Sequence, residues 1–354
     1  MADAVPPYEG DPLLEVDDLR TAFRTERGTV RAVDGVTFSL ERGRTLGVVG
    51  ESGSGKTVLS RSIMGLLPRH NVVRSGSVRF EGSEIASLNS KELRAFWGPQ
   101  MAMVFQDPMT SLNPVMKIGK QITESLRTHL DVSRSYADET AVNLLRSVGI
   151  PEPERRMSEY PHQLSGGMRQ RVTIAVALAC GPKLLFADEP TTALDVTVQA
   201  QILDLLDEQQ RERYMAVILV THDLGVVAGR ADDIAVMYAG RIVEKAPTRI
   251  LFSEIRMPYT EALVRSIPRL ANHSHTRLPV IGGRPPDLVS PPAGCRFAPR
   301  CAYAQDRCRE EEPPLRPAET AGHEFRCWFP VGTPEGTEAL ARNRAGAGSA
   351  GEVA

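Results

Sequence analysis

No apolar run in this chain approaches the ~18 residues that a membrane span requires. The N-terminus, Met1 to Pro12, has neither a basic stretch nor an apolar one, so no secretory signal is expected. Charge of one sign is missing too. The 42 Lys and Arg stand against 44 Asp and Glu, a net charge of −2 that gives nucleic acid nothing to hold. Cysteine is scarce and odd in number, five in 354 residues, which argues against a disulfide framework. Together these absences predict a cytoplasmic protein whose membrane role, if it has one, runs through partners. The composition, 42% hydrophobic and 24% charged, is that of a globular protein, and 354 residues make one large domain or two ordinary ones.

The most informative run present is Gly50-Glu51-Ser52-Gly53-Ser54-Gly55-Lys56-Thr57, which matches G-x-x-x-x-G-K-[ST]. Thr45 to Val49 before it reads as a short apolar strand; Val58, Leu59, Ile63, Met64 and Leu67 after it recur at helical spacing. Strand, glycine loop and helix N-terminus aim successive backbone N–H groups inward, a nest for phosphate oxygens. Lys56 would reach the β- and γ-phosphates, and the Thr57 hydroxyl would ligate Mg²⁺. The chain binds a nucleoside triphosphate on this reading.

Short strands are expected at Leu13 to Leu19, Val30 to Val33, Val36 to Leu40, Met101 to Phe105, Lys183 to Ala187 and Ala216 to Val220. Helical patterning runs from Asp107 to about Cys180, with a break at Asn113-Pro114. Ile234 to Tyr238 and Arg241 to Val243 read as a hairpin across Ala239-Gly240. Strands alternating with helices imply a largely parallel sheet covered on both faces. No internal repeat is visible, so there is one nucleotide-binding unit. Residues 331–354 lack periodicity and are expected to be a disordered tail.

Three strand ends supply polar groups: Gln106, Asp188-Glu189 and His222. The ends of parallel strands are where such a sheet binds ligands. Asp188 suits Mg²⁺, Glu189 the activation of a water, Gln106 contact with both, and His222 sensing of the γ-phosphate. Ser165 caps a helix whose first residues, Gly166 and Gly167, leave N–H groups bare. That second anion-binding terminus makes sense if it closes on the nucleotide of another subunit.

Cys295, Cys301, Cys308 and Cys327 are separated by five, six and eighteen residues. The tight knuckle usual for zinc is absent, and wider spacing suits an iron–sulfur cluster. Cluster, zinc and unligated thiols all remain open on the residues alone. Cys180 reads as a buried apolar residue.

In this order, the phosphate loop, Gln106, Leu164-Ser165-Gly166-Gly167-Met168, Asp188-Glu189, Leu194-Asp195 and His222 resemble the ATP-binding-cassette ATPases. Within them the chain resembles the ATP-binding subunits of bacterial oligopeptide/dipeptide importers. The marks are Gln106 to Pro114, Tyr160-Pro161-His162-Gln163, Pro258-Tyr259-Thr260, and the cysteine-rich end. The resemblance covers roughly residues 13–330. It implies an α/β fold: a RecA-like parallel-sheet core, an antiparallel β subdomain, a helical subdomain at about 107–180, and a small Cys-rich C-terminal lobe. It divides the chain into a cassette at 13–255 and a Pro/Cys-rich region at 256–330.

The resemblance also implies site roles. Gly50 to Thr57 would be the Walker A loop, Asp188 the Mg²⁺ ligand, Glu189 the base, Gln106 the Q-loop, His222 the switch histidine and Asp195 the D-loop residue. Ser165, Gly166 and Gly167 would meet the γ-phosphate held by a facing subunit, and Phe23 would stack on adenine or belong to the core. The four cysteines would hold a [4Fe–4S] cluster. Implied partners are a second ATPase subunit, paralogue or copy, two membrane permease subunits docking on the helical segment, and indirectly an extracytoplasmic solute-binding protein. The location would be the cytoplasmic face of the membrane. A non-transport accessory ATPase, as in a carbon–phosphorus lyase complex, and a DNA-repair cassette are the alternatives; the latter would want zinc modules, long inserts or basic patches, which are missing.

Overall fold

The computed structural model describes residues 11–68, 70–107, 111–192, 194–267 and 281–350. Pro108, Met109 and Thr110 of the Gln106–Pro114 mark lie outside the described residues, as do 351–354 of the expected tail.

Two sheets organise the chain. Strands β3 (Thr45–Val49), β6 (Met101–Val104), β7 (Leu184–Asp188) and β8 (Ala216–Thr221) are buried along their whole length. Continuous apolar strands of this kind belong inside a sheet covered on both faces. They run parallel in the order β9-β3-β8-β7-β6, where β9 is Asp233–Tyr238. Strand β10 (Arg241–Pro247) closes a hairpin on β9, with Ala239 and Gly240 both at positive φ in the turn. The second sheet is antiparallel, in the order β2-β1-β4-β5, and comprises β1 (Leu14–Thr25), β2 (Gly28–Leu40), β4 (Val72–Phe80) and β5 (Ser83–Glu84). Its buried face, with Leu19, Val36, Phe38, Val78 and Phe80, packs one core against the Lys56–Ile63 helix and the parallel sheet.

The two segments expected at Val30 to Val33 and Val36 to Leu40 are one strand, and the Leu13 strand continues to Thr25. Irregular register near Leu19 absorbs the twist, with Asp18 at φ 43° beside the kink, so pairing resumes past the break.

The helical segment carries Ile118–His129 and Arg134–Ser147. Ile118, Ile122 and Leu126 on the first, and Ala137, Ala141, Leu144 and Leu145 on the second, are buried at helical spacing. Ser133 starts the second helix by accepting from Tyr136 N–H at 3.2 Å. Just before Ile118 the break at Asn113-Pro114 holds, because Gln121 ties down the backbone of Asn113 from both amide atoms.

The C-terminal region joins the cassette sheet directly. Strand β12 (Glu324–Phe325) pairs with β10 and with β11 (Arg316–Pro317), extending the large sheet to eight strands. One expectation is corrected here: the tail is a helix, Pro334–Ala350, through its described length. Ala339 on it is buried, and Asn343 donates to Ala302 and Ala304 carbonyls at 2.8 and 3.0 Å. Contacts with the cysteine lobe, which no local periodicity encodes, supply what the sequence pattern lacked. Among the described residues no helix is long and apolar enough to cross a membrane.

Candidate functional site

Strand β3 delivers the phosphate loop to the edge of the parallel sheet. A Cβ on Gly50 would stand 2.1 Å from Met237 O, and one on Gly55 2.2 Å from Ala32 O, where Gly55 also has φ +104°. No L side chain fits either place. The loop is braced by Ser54 N–H to Glu51 O at 3.1 Å and Gly240 N–H to Ser54 O at 2.8 Å. Gly53, at φ +81°, faces open space beside the exposed Ser52. Gly55 precedes the helix with no side-chain cap, which leaves the first helical N–H groups to an anion. Ser54 Oγ is buried and unpartnered. Lys56 folds over the loop, donating to Gly50 O at 2.7 Å and Glu51 O at 3.1 Å. Burial lowers its pKa, opposed by Glu189, Asp188 and Glu51, so an incoming phosphate would restore favour to its charge.

Asp188 ends β7, fully buried, with Oδ1 accepting from the Thr57 hydroxyl at 3.0 Å. Its Oδ2 is buried without a partner, and burial pushes its pKa up despite Thr57. An orphaned carboxylate oxygen next to a hydroxyl oxygen is a donor set that fits Mg²⁺, a hard cation taking oxygen ligands.

The neighbouring Glu189 gathers the other strand ends. Its Oε2 accepts from Gln106 Nε2 and from the Thr192 hydroxyl, each at 3.0 Å, and lies 3.4 Å from His222 Nδ1. Its φ is 45°, a left-handed conformation costly for a side-chain-bearing residue, and Glu189 N–H bonds to Val220 O at 2.9 Å. Ends of β6, β7 and β8 thereby converge on one carboxylate. Thr192 is a contact the sequence reading missed; its only signal was a hydroxyl three residues beyond the acid.

Ser165 Oγ caps its helix, Gly166–Leu178, by accepting from Met168 N–H at 3.3 Å. Asp195 does the same for the helix Val196–Arg213, accepting from Val198 N–H at 2.9 Å. The two termini lie side by side: a Cβ on Gly167 would meet Val198 Cγ1 at 2.8 Å. Ser165 and Gly166 are exposed, and Val196 beside Asp195 is 81% exposed, an apolar side chain presented outward. Phe23 is half-buried on β1, its backbone paired with Val30 and Val72, and is absent from both large cores.

All four C-terminal cysteines line one small apolar space with Met257, Trp328 and Phe329. Cys295 N–H bonds to Cys308 O at 2.7 Å, and Tyr303 N–H to Cys301 Sγ at 3.3 Å. Burial raises every one of these thiols, to about 11 at Cys295 and about 12 at Cys301. Cys308 is raised as well and Cys327 strongly so, again through burial. The thiol chemistry suits a metal, but the space does not: it measures about 10 Å³, room for about one water. Among the described residues no group of three or more His, Cys, Asp or Glu is placed to hold a metal ion. The four cysteines meet at this space without closing into a ligand set. Cys180 is half-buried, not fully so, with Sγ 3.6 Å from Ser125 O.

The chain is similar to known proteins along most of its length. Residues 33–192 match the model of the ABC transporter family, and residues 243–308 that of the oligopeptide/dipeptide transporter C-terminal region. The oligopeptide transport ATP-binding protein OppD of Bacillus subtilis is 52% identical over 304 residues, 86% of this chain and 85% of that one. The dipeptide transport ATP-binding protein DppD of Escherichia coli is 48% identical over 319 residues, 90% of this chain and 97% of its own. Among solved structures, the dimeric post-hydrolysis state of the ATP-binding cassette MJ0796 bound to ADP and Pi superposes with a TM-score of 0.60. It is 26% identical, over 67% of this chain and 99% of that one.

Proposed function

The chain belongs to the ABC-transporter ATPases of the oligopeptide/dipeptide type, and from that membership we propose that it hydrolyses ATP to energise import of peptides or a related small solute. The observation that carries the reading is Glu189, whose carboxylate holds Gln106, Thr192 and His222 within reach, next to the Thr57–Asp188 pair. Lys56 and the loop N–H groups bind and orient the phosphates. Thr57 and Asp188 would hold Mg²⁺, which supplies charge neutralisation at the phosphates. Glu189 takes the proton of the attacking water, Gln106 and Thr192 fix its orientation, and His222 faces the same carboxylate oxygen at 3.4 Å.

We further read Ser165, Gly166, Gly167 and Asp195 as the face that closes on a second ATPase subunit, copy or paralogue. The exposure of Ser165, Gly166 and Asp195 and the outward Val196 support it. Phe23, half-buried, is the proposed adenine contact. The helical segment carries an open groove of about 900 Å³ along the Ile118–His129 and Arg134–Ser147 helices, and Val115 near it is 83% exposed. This is the surface we assign to two permease subunits, with a solute-binding protein acting through them and the chain peripheral on the cytoplasmic side. An accessory ATPase of the carbon–phosphorus lyase kind has no specific observation in its favour, since the C-terminal match is to peptide transporters. For the cysteine lobe the finer proposal is a [4Fe–4S] cluster. Four converging thiols support it and the small space opposes it, and no part of hydrolysis depends on it. Iron and sulfide analysis of anaerobically prepared protein decides, with about four irons per chain expected for a cluster.

Glu189→Gln is the test of the reaction. ATP affinity should persist while hydrolysis falls by about 10²–10⁴-fold, the range of a general base. Lys56→Ala should instead lose affinity. Turnover close to wild type in Glu189→Gln removes Glu189 from the base role. Ser165→Arg tests the shared site: the isolated subunit should keep binding ATP, and ATP-driven dimer closure should fail in light scattering.

A further inference from the structure

The second residue of the phosphate loop is held by the C-terminal region at two points, its N–H and its carboxylate. Glu51 N–H donates to the Tyr259 hydroxyl at 2.9 Å. Its carboxylate takes both terminal nitrogens of Arg300, Nη1 to Oε2 at 2.6 Å and Nη2 to Oε1 at 2.9 Å. Its carbonyl is where Lys56 rests, at 3.1 Å. The lysine, the loop and the C-terminal region therefore share one residue.

Arg300 is built for a fixed task. Its Nη1 also donates to Tyr238 Oη at 3.2 Å, its Nε to Gly282 O at 2.8 Å and its Nη2 to Ile281 O at 3.1 Å. All five of its N–H donors are thereby matched to acceptors. The side chain is only 3% exposed, over the rings of Tyr238 and Phe297. A two-pronged ion pair in this setting fixes orientation, which a single lysine charge does not. The residue lies in the 3₁₀ turn Ala298–Arg300, whose Ala298 N–H bonds to Cys295 O and whose Arg300 N–H bonds to Phe297 O. Cys301 follows immediately. The position of the guanidinium is thus set by the cysteine lobe, while its anion belongs to the nucleotide site.

We propose that Arg300 is a positioning residue for the phosphate loop, and that through its pair with Glu51 the cysteine lobe and the nucleotide site are energetically coupled. This rests on the ATPase reading above. Coupling of this kind is reciprocal: nucleotide steadies the lobe as much as the lobe steadies the loop. The lobe acts as a brace whose condition sets nucleotide affinity, without touching the reacting phosphate.

The test uses the full chain with ADP and Mg²⁺, so that hydrolysis does not intervene. Arg300→Gln should weaken ADP binding about tenfold, within the roughly 5–150-fold range typical of coupling between two sites. Arg300→Lys should recover only part of it. In steady state the ATP KM should rise while kcat changes less. Glu51→Gln should give a similar loss, and the double variant Glu51→Gln/Arg300→Gln should be no worse than either single. Hydrogen exchange at the Ala298 and Arg300 amides should slow on ADP binding in wild type and not in Arg300→Gln. Unchanged ADP affinity in the folded variants, multiplicative losses in the double variant, or an amide response that survives Arg300→Gln would each overturn the proposal while leaving the ATPase reading standing. Wild-type protein that binds no ADP would bring down both. Should Arg300→Gln fail to fold, Glu51→Gln, altered at the loop end of the pair, carries the affinity and exchange measurements.

Discussion

At the nucleotide edge, functional side chains stand at the ends of strands buried along their whole length; in the C-terminal lobe the strands β11 and β12 are two residues each. The first region is held by burial. Asp188 and Glu189 are where they are because β7 lies between β6 and β8, and nothing about that strand is free to shift. The lobe is held by polar attachment. Arg296, 6% exposed, donates to Asp34 and to Ala239 O from across the chain, and Asp34 also receives Arg20 at 2.7 Å and Arg241 at 2.9 Å. A carboxylate nearly out of water is tolerable only when its charge is so fully matched. Strand ends give a site its precision; ion pairs give an appended segment its place.

The sharpest break on the strand side is Gly55→Ala. The φ of +104° and the 2.2 Å approach to Ala32 O leave no room for a methyl. A loss above about 3 kcal/mol in urea unfolding is expected, together with loss of nucleotide binding in a titration. A variant that binds nucleotide normally would show that the loop is less rigid than its buried strand implies.

Asp34→Asn breaks the seam. Burial alone would raise the Asp34 pKa, but Arg241 and Arg296 overcome it and hold the carboxyl at about 2. A lowered folded-state value stabilises above the ordinary carboxylate range, and that stability drains away as pH falls from about 4 toward 2. The variant should lose about 3 kcal/mol at neutral pH and have a flatter acid limb in pH-dependent unfolding. Proteolysis should cut first in the C-terminal region, sparing the strand-built site. Even loss across the whole chain would erase the distinction between the two regions.

Asn343→Ala is the gentlest. It removes the bonds to Ala302 and Ala304 carbonyls and the acceptor of Gln305 Nε2 at 3.0 Å. About 1 kcal/mol should be lost locally, seen as faster amide exchange along the Pro334–Ala350 helix with nucleotide affinity unchanged.

Much of the nucleotide site was legible because its signals are local. Gly50 to Thr57 announces strand, loop and helix within a dozen residues, and Ser165 reads as a cap because a cap bonds within three residues. Asp188-Glu189 was legible because an apolar run ended there. The continuous β2 was not, since a break in the apolar pattern looks like a strand end until a partner strand pairs across it. The C-terminal helix was missed for a related reason: its stripe is weak, and only docking against the lobe supplies its buried side.

What the sequence alone determined, then, were sites whose residues lie within one turn or one strand of each other: the phosphate loop, the Ser165-capped helix terminus and the acidic pair. Which groups meet across the chain was decided only in three dimensions. Glu189 finds Gln106 83 residues away, and Glu51 finds Arg300 249 residues away. No periodicity carries such pairings, because the free energy that makes them comes from burying the strands and turns that bring them together, not from the residues that touch.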